Sequence, residues 1–193
     1  MPVFMTKYGG DNTRYSIQDN NSIEQILRKE GVKLYLETCG CTSMINCIMS
    51  IMDYDFSYLK VQPEDYVCLF QNDLHNYNAF KQIRNLDYDT YMGNEIIQLY
   101  PFTAKQLFNV EAEFKNEKDW NKIIEYIKAN QSVQLCEIDP GHFIAVVGVD
   151  TDTNELIVND PWQRHYSTGG FNHRISKDEY DKNINPWLVL YKS

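Results

Sequence analysis

The last third of the chain changes its periodicity, and that change constrains the fold more than any other feature. SVQLCEI, HFIAVVGVD, ELIVND and WLVLYK are rich in β-branched and other apolar residues, run with a period of two, and are separated by turn-forming Gly, Pro, Asn and Asp. Four such runs predict an antiparallel sheet. Upstream the period is helical. Ser22 with Gln25 forms a capping-box pattern opening a short helix that carries Ile23, Ile26 and Leu27 on one face and stops at Gly31. VKLYLE then reads as a short strand or extended lead-in. From Thr42, the residues Met44, Ile45, Ile48, Met49 and Met52 make a wide apolar face, which predicts a central buried helix starting near Gly40 to Thr42. Asp53 to Tyr100 has weak periodicity and reads as short helices and loops. Thr103 with Gln106 caps a further helix; Asn116 precedes another, EKDWNKIIEYIKAN, with Trp120, Ile123, Ile124 and Ile127 on one side. Ser176 with Glu179 marks one more helical turn before the last strand. Helices first and strands later predict an α+β fold, one domain over residues 1–193, with an N-terminal helical layer packed on a C-terminal antiparallel sheet.

Charge excludes some partners. A net charge of -9 with a pI of about 4.9 leaves no clustered Lys and Arg to grip phosphate backbones or anionic membranes, so no nucleic acid partner is expected. No stretch approaches the roughly 18 apolar residues of a membrane span, so membrane insertion is not expected either. MPVFMTKYGGDNTRYS lacks a basic start followed by an apolar run, which predicts synthesis in the cytoplasm without a signal peptide. Five cysteines are too few for a disulfide scaffold, and an odd number leaves at least one thiol free.

Three of those cysteines crowd into ETCGCTSMINC. Zinc is unsupported: Cys39 and Cys41 are two apart, and Cys47, Cys68 and His75 complete none of the usual paired spacings. A disulfide between Cys39 and Cys41 would strain the backbone. Cys39, read as immediately preceding the helix, would lie at the positive end of the macrodipole, where a thiolate is favoured. Gly40 would let substrate approach the sulfur, whereas Cys41 and Cys47 read as small buried hydrophobes. A nucleophilic thiol needs a base. His75, His165 and His173 have no distinguishing context, but His142 opens the run HFIAVVGV, and the next run ends at Asp160. With a turn centred near Thr151, His142 and Asp160 would face each other across a hairpin, with Cβ atoms about 5 Å apart. The turn itself, with Asp150, Asp152 and Asn154, also resembles the first half of a calcium loop, but lacks the central Gly and the terminal acid; it reads mainly as a hairpin turn. DYDTYMGNE, at Asp87 to Glu95, is a weaker oxygen-rich candidate.

Taken together, these segments resemble the papain-like cysteine peptidases related to bacteriocin leader peptidases, including the version found in phage and bacterial cell-wall hydrolases. CGCTSMINCIM resembles the family's nucleophile segment through Cys39, Thr42 and Ser43; GHFIAVVGVDTDTN resembles its His segment, and IVNDPW its third. The resemblance implies a papain-like fold. It also implies that Cys39 attacks a scissile carbonyl, His142 moves the proton, Asp160 holds the imidazole and Trp162 shields that pair. The family uses a Gln upstream of the nucleophile as an oxyanion donor. Lys33 occupies the common place, six before Cys39, while Gln18 in YSIQDNN resembles the corresponding segment of the phage-type members and takes that role. Peptidoglycan stem peptides or cross-bridges are the substrate the resemblance implies, reached by release to the cell wall. No cofactor is required for this chemistry, with calcium at the 150–154 turn as a secondary expectation. Deamidation or acyl transfer on the same residues, or an inactive binding module, are the rival readings.

Overall fold

The computed structural model describes residues 2–18, 29–30, 38–76, 99–164 and 169–193, with the side chains of 72–76 excepted. The expected helix at Ser22 to Gly31, the VKLYLE segment, Lys33, the DYDTYMGNE segment and His165 lie outside the described residues, apart from Lys29 and Glu30. In chain order the elements are β1 (Val3–Met5), a 3-10 turn (Asn12–Arg14), α1 (Thr38–Ile51), α2 (Pro63–Asn76), α3 (Leu99–Phe108) and β2 (Ala112–Lys115). There follow α4 (Trp120–Lys128), β3 (Ser132–Cys136), β4 (Phe143–Asp150), β5 (Glu155–Asn159), β6 (His173–Ser176), α5 (Lys177–Asn183) and β7 (Leu188–Tyr191).

The four expected runs form β3, β4, β5 and β7 in a seven-stranded sheet ordered β2-β7-β3-β4-β5-β6, with β1 on β4 and every pairing antiparallel. Their alternation is real, yet both faces are buried. Val133 and Leu135 of β3 face one core, together with Leu188 and Leu190 of β7; Cys136, Val189 and Tyr191 face the other. The second core is built by α1, through Met44, Ile45, Ile48 and Ile51, with Val67 of α2 and Tyr100, Ala104 and Phe108 of α3. This is the expected helical layer. On the opposite face α4 contributes Ile123 and Ile127, whose full burial stabilises by about 1.5–3 kcal/mol each, and α5 contributes Tyr180. The fold is α+β, as expected, with that second helical cover added.

Three local expectations are corrected. α4 begins at Trp120, not after Asn116, because the Asp119 side chain caps the backbone N–H groups of Asn121 and Lys122. Thr103 is inside α3 rather than at its start, and its hydroxyl accepts from Gln71 Nε2 at 3.0 Å. The hairpin between β4 and β5 turns later than Thr151. Asp150 pairs with Glu155, Asn154 takes the left-handed conformation with φ 54°, and a bulge shifts the register between Val146 and Gly148. The Ser176 cap stands, its Oγ accepting from the Glu179 N–H at 3.1 Å.

Candidate active site

α1 carries Cys39 in its first described turn, so the cysteine lies within the helix instead of immediately before it. The helix is tied to the sheet at that point. Gln134 of β3, fully buried, donates through Nε2 to the Gly40 carbonyl at 3.0 Å and to Ser43 Oγ at 2.8 Å. Its Oε1 accepts from Tyr191 Oη at 2.7 Å. Gly40 is needed there because a Cβ would collide with Tyr100 Oη and meet Phe143 Cδ2 at 3.3 Å. None of the five cysteines is in a disulfide. Cys41 and Cys47 are fully buried, as expected, and burial pushes the Cys47 thiol up to about 12. Cys136 is likewise raised to about 12, by burial and by the charge of Cys39. Those two thiols stay protonated at neutral pH, whereas Cys39 opens onto a cleft.

His142 and Asp160 lie just beyond the ends of β4 and β5. They are not directly opposed. Ala145 pairs with Asn159, so continuing the ladder puts Ile144 opposite Asp160 and leaves His142 two residues further along. Diagonal same-face residues remain within reach of long side chains, and His142 Nε2 meets Asp160 Oδ1 at 2.5 Å. The carboxylate is held from three sides: Oδ1 also accepts from the Trp162 N–H at 2.9 Å, and Oδ2 from Arg164 Nε at 3.2 Å. With Nε2 on Asp160, Nδ1 is the ring nitrogen left to the thiol. Burial by itself pulls the imidazole down, but hydrogen bonds to Asp160 and Cys39, and the charges of both groups, raise it to about 9.

Gln18 reaches the same place from the N-terminal segment. Asn46 of α1 clips that segment through both backbone groups of Ser16, at 2.7 and 2.9 Å. The Gln18 N–H donates to the Pro161 carbonyl at 2.8 Å, and Tyr15 Oη donates to the Asp160 carbonyl at 2.5 Å. Gln18 Oε1 is buried without a hydrogen-bond partner. A cleft of about 380 Å³ is lined by Gln18, Cys39, Pro140, Gly141, His142 and Trp162. The structure thus brings together four of the expected residues, Gln18, Cys39, His142 and Asp160, and Trp162 packs edge-on against His142 with centroids 5.6 Å apart. His173 instead opens β6 and lines a separate cavity.

The 150–154 turn holds its own carboxylate. Asp150 Oδ1 accepts from the N–H groups of Asp152 at 3.0 Å and Thr153 at 3.2 Å, and Oδ2 from Arg174 at 2.9 Å. Both oxygens are engaged by donors, as in an Asx turn. Arg174 first, with the turn N–H groups, holds this carboxyl below its usual range.

Two residues were missed by sequence reasoning. Glu137, buried, bonds to Arg164, whose guanidinium also holds Asp160. The spacing of Arg164 four residues after Asp160 was a legible signal for the second contact; nothing in CEIDPGH announced the first. Ligand atoms of Glu137, His142 and Asp160 lie within 4.8 Å of one another, and the Arg164 guanidinium bonds to both carboxylates, so the three form an ion-pair network. The guanidinium already supplies a cation to both carboxylates.

None of the curated proteins matches the chain. Among solved structures, it is similar to the peptidase domain of Streptococcus ComA, a bi-functional ABC transporter involved in a quorum-sensing pathway. The identity is 14% and the TM-score 0.37, over 66% of this chain and 90% of that one. That likeness is loose, and the assignment rests on a family model. The model of the Peptidase_C39-like family matches residues 15–187, which takes in every element from the segment bearing Gln18 to Trp187. The chain therefore belongs to the Peptidase_C39-like family of cysteine peptidases.

Proposed function

We propose that the protein is an endopeptidase in which Cys39 is the nucleophile, His142 the proton carrier and Asp160 the group that orients it. The observation that carries this reading is the His142 Nε2 contact to Asp160 at 2.5 Å, which leaves Nδ1 to the thiol in a cleft open to substrate. His142 takes the thiol proton, and the thiolate attacks the scissile carbonyl. The Gln18 amide donates to the oxyanion as it forms. The imidazolium then protonates the leaving amine, and water, deprotonated by His142, releases the acyl group from the thioester. Trp162, edge-on against the His142 ring, shields that side of the pair from water. No step uses a metal.

The substrate we propose is a peptidoglycan stem peptide or cross-bridge, reached after release from the cytoplasm. Two features support it: the likeness of the Gln18 segment to the phage-type wall hydrolases, and Gly141, whose Cα faces open space at the cleft and leaves room for substrate backbone. The test is incubation with purified peptidoglycan, followed by mass spectrometry of the soluble products. New amino groups at one peptide bond, absent with Cys39→Ala, are expected. Ammonia release without new amino groups would replace hydrolysis by deamidation.

A further inference from the structure

Behind Asp160 the chain buries a second carboxylate that the peptide-cleaving chemistry does not call for. Glu137 follows β3 directly, is 6% exposed, and donates its backbone N–H to the His142 carbonyl at 2.7 Å. Its Oε1 is bonded to Arg164 Nη2, and its Oε2 lies 3.5 Å from Asn183 Nδ2 of α5. Arg164 Nε in turn reaches Asp160 Oδ2 at 3.2 Å. One guanidinium therefore sits between two carboxylates, both with ligand atoms within 4.8 Å of the His142 ring.

Charge counting shows what this does. With Asp160 alone, Arg164 would neutralise the carboxylate that must balance an imidazolium. With Glu137 present, two negative charges face one guanidinium, and one of them is left over on the Asp160 side of the ring, where it favours a protonated His142 in addition to the charge of Cys39 on the other side. We infer that Glu137 is a positioning residue that acts through Arg164 to keep His142 protonated, so that the ring holds a proton ready for the leaving amine; this rests on the function proposed above. Among the described residues, the charged groups around the pair are as follows. Cys39 faces His142 from α1, Asp160 faces it from the end of β5, and the cavity on the far side of Glu137 is lined by Asp139, Arg164, His173 of β6 and Glu179 of α5. The Glu137 carboxyl is raised, by burial first and by the neighbouring Asp160 charge, while the charges of Arg164 and His142 and the hydrogen bond to Arg164 oppose that rise.

The test is the NMR titration midpoint of the His142 ring in the parent, Glu137→Gln and Glu137→Asp proteins. Glu137→Gln, nearly isosteric, should lower the midpoint by about one pH unit; Glu137→Asp, which keeps the charge, should stay with the parent. A merely structural role would move neither midpoint or both alike, and either result overturns the inference. A measurement without variants stands beside it: the ¹³C titration of the Glu137 carboxyl. An ionised carboxylate at pH 7 is required, and a protonated one refutes the pair. Slow alkylation of Cys39 would end the peptidase mechanism proposed above, while these two titrations would still decide whether Glu137 tunes His142.

Discussion

Asp160→Asn isolates the charge that the account places behind the imidazole. The parent His142 is raised from its ordinary 6.5 to about 9, against the pull of burial, by Asp160 and Cys39. Removing the Asp160 charge leaves burial with far less opposition, so the midpoint should return to about 6.5 or below. That change of roughly 2.5 units, at about 1.4 kcal/mol per unit, removes about 3.5 kcal/mol of imidazolium stabilisation. At pH 7.5 the protonated fraction falls from nearly all to about one tenth. The Asn amide can also donate to Nε2, which moves the ring proton to Nδ1 and blocks acceptance from the thiol. The combined loss of hydrolytic rate should be about 10²- to 10³-fold near neutral pH. Asp160 also accepts from Trp162 and Arg164, so some stability goes too, of order 1–3 kcal/mol, and the assay belongs well below the melting temperature. The measurement is the NMR midpoint of His142 together with hydrolysis of the proposed peptidoglycan substrate from pH 5 to 10. A midpoint that stays near 9 in Asp160→Asn would refute the reasoning.

Three further outcomes are expected. In its proposed role as oxyanion donor Gln18 acts only in the transition state, so Gln18→Ala should lower kcat by about 10²-fold with KM little changed and Cys39 alkylation intact; steady-state kinetics alongside alkylation checks this. Gly40→Ala should destabilise by about 1–3 kcal/mol through the clash with Tyr100 Oη, and Tyr100→Phe in the same chain should recover part of the loss in a denaturant titration. Because the folded-state value of His142 is raised, its contribution to stability is full below about 6.5 and is lost as pH rises through about 9. The melting temperature should therefore decline across that window, and His142→Ala should flatten the decline.

Much of the site was legible because its residues sit on strongly patterned segments. Met44, Ile45 and Ile48 announced a buried helix, which placed Cys39 near its start, and the runs HFIAVVGVD and ELIVND brought His142 and Asp160 to neighbouring strand ends. The hairpin was misregistered for two physical reasons. Asn154 closes the turn in the left-handed conformation, and the bulge near Val147 shifts the ladder, neither of which hydrophobic spacing records. The strands β1, β2 and β6 were missed since each is three or four residues long and is defined by its partner strand rather than by its own composition. α4 was visible as an amphipathic helix, but an apolar stripe does not say which face of a sheet it will cover. The Glu137–Arg164 pair joins residues 27 apart in sequence through a buried contact, which no local pattern encodes.

Selective alkylation is the most direct test of the central claim that Cys39 is an activated nucleophile paired with His142. With iodoacetamide at pH 7, peptide mapping should find Cys39 modified far faster than Cys41, Cys47, Cys68 and Cys136, and the rate should fall in His142→Ala. Uniform slow labelling of all five thiols, or a rate indifferent to His142, would contradict the account.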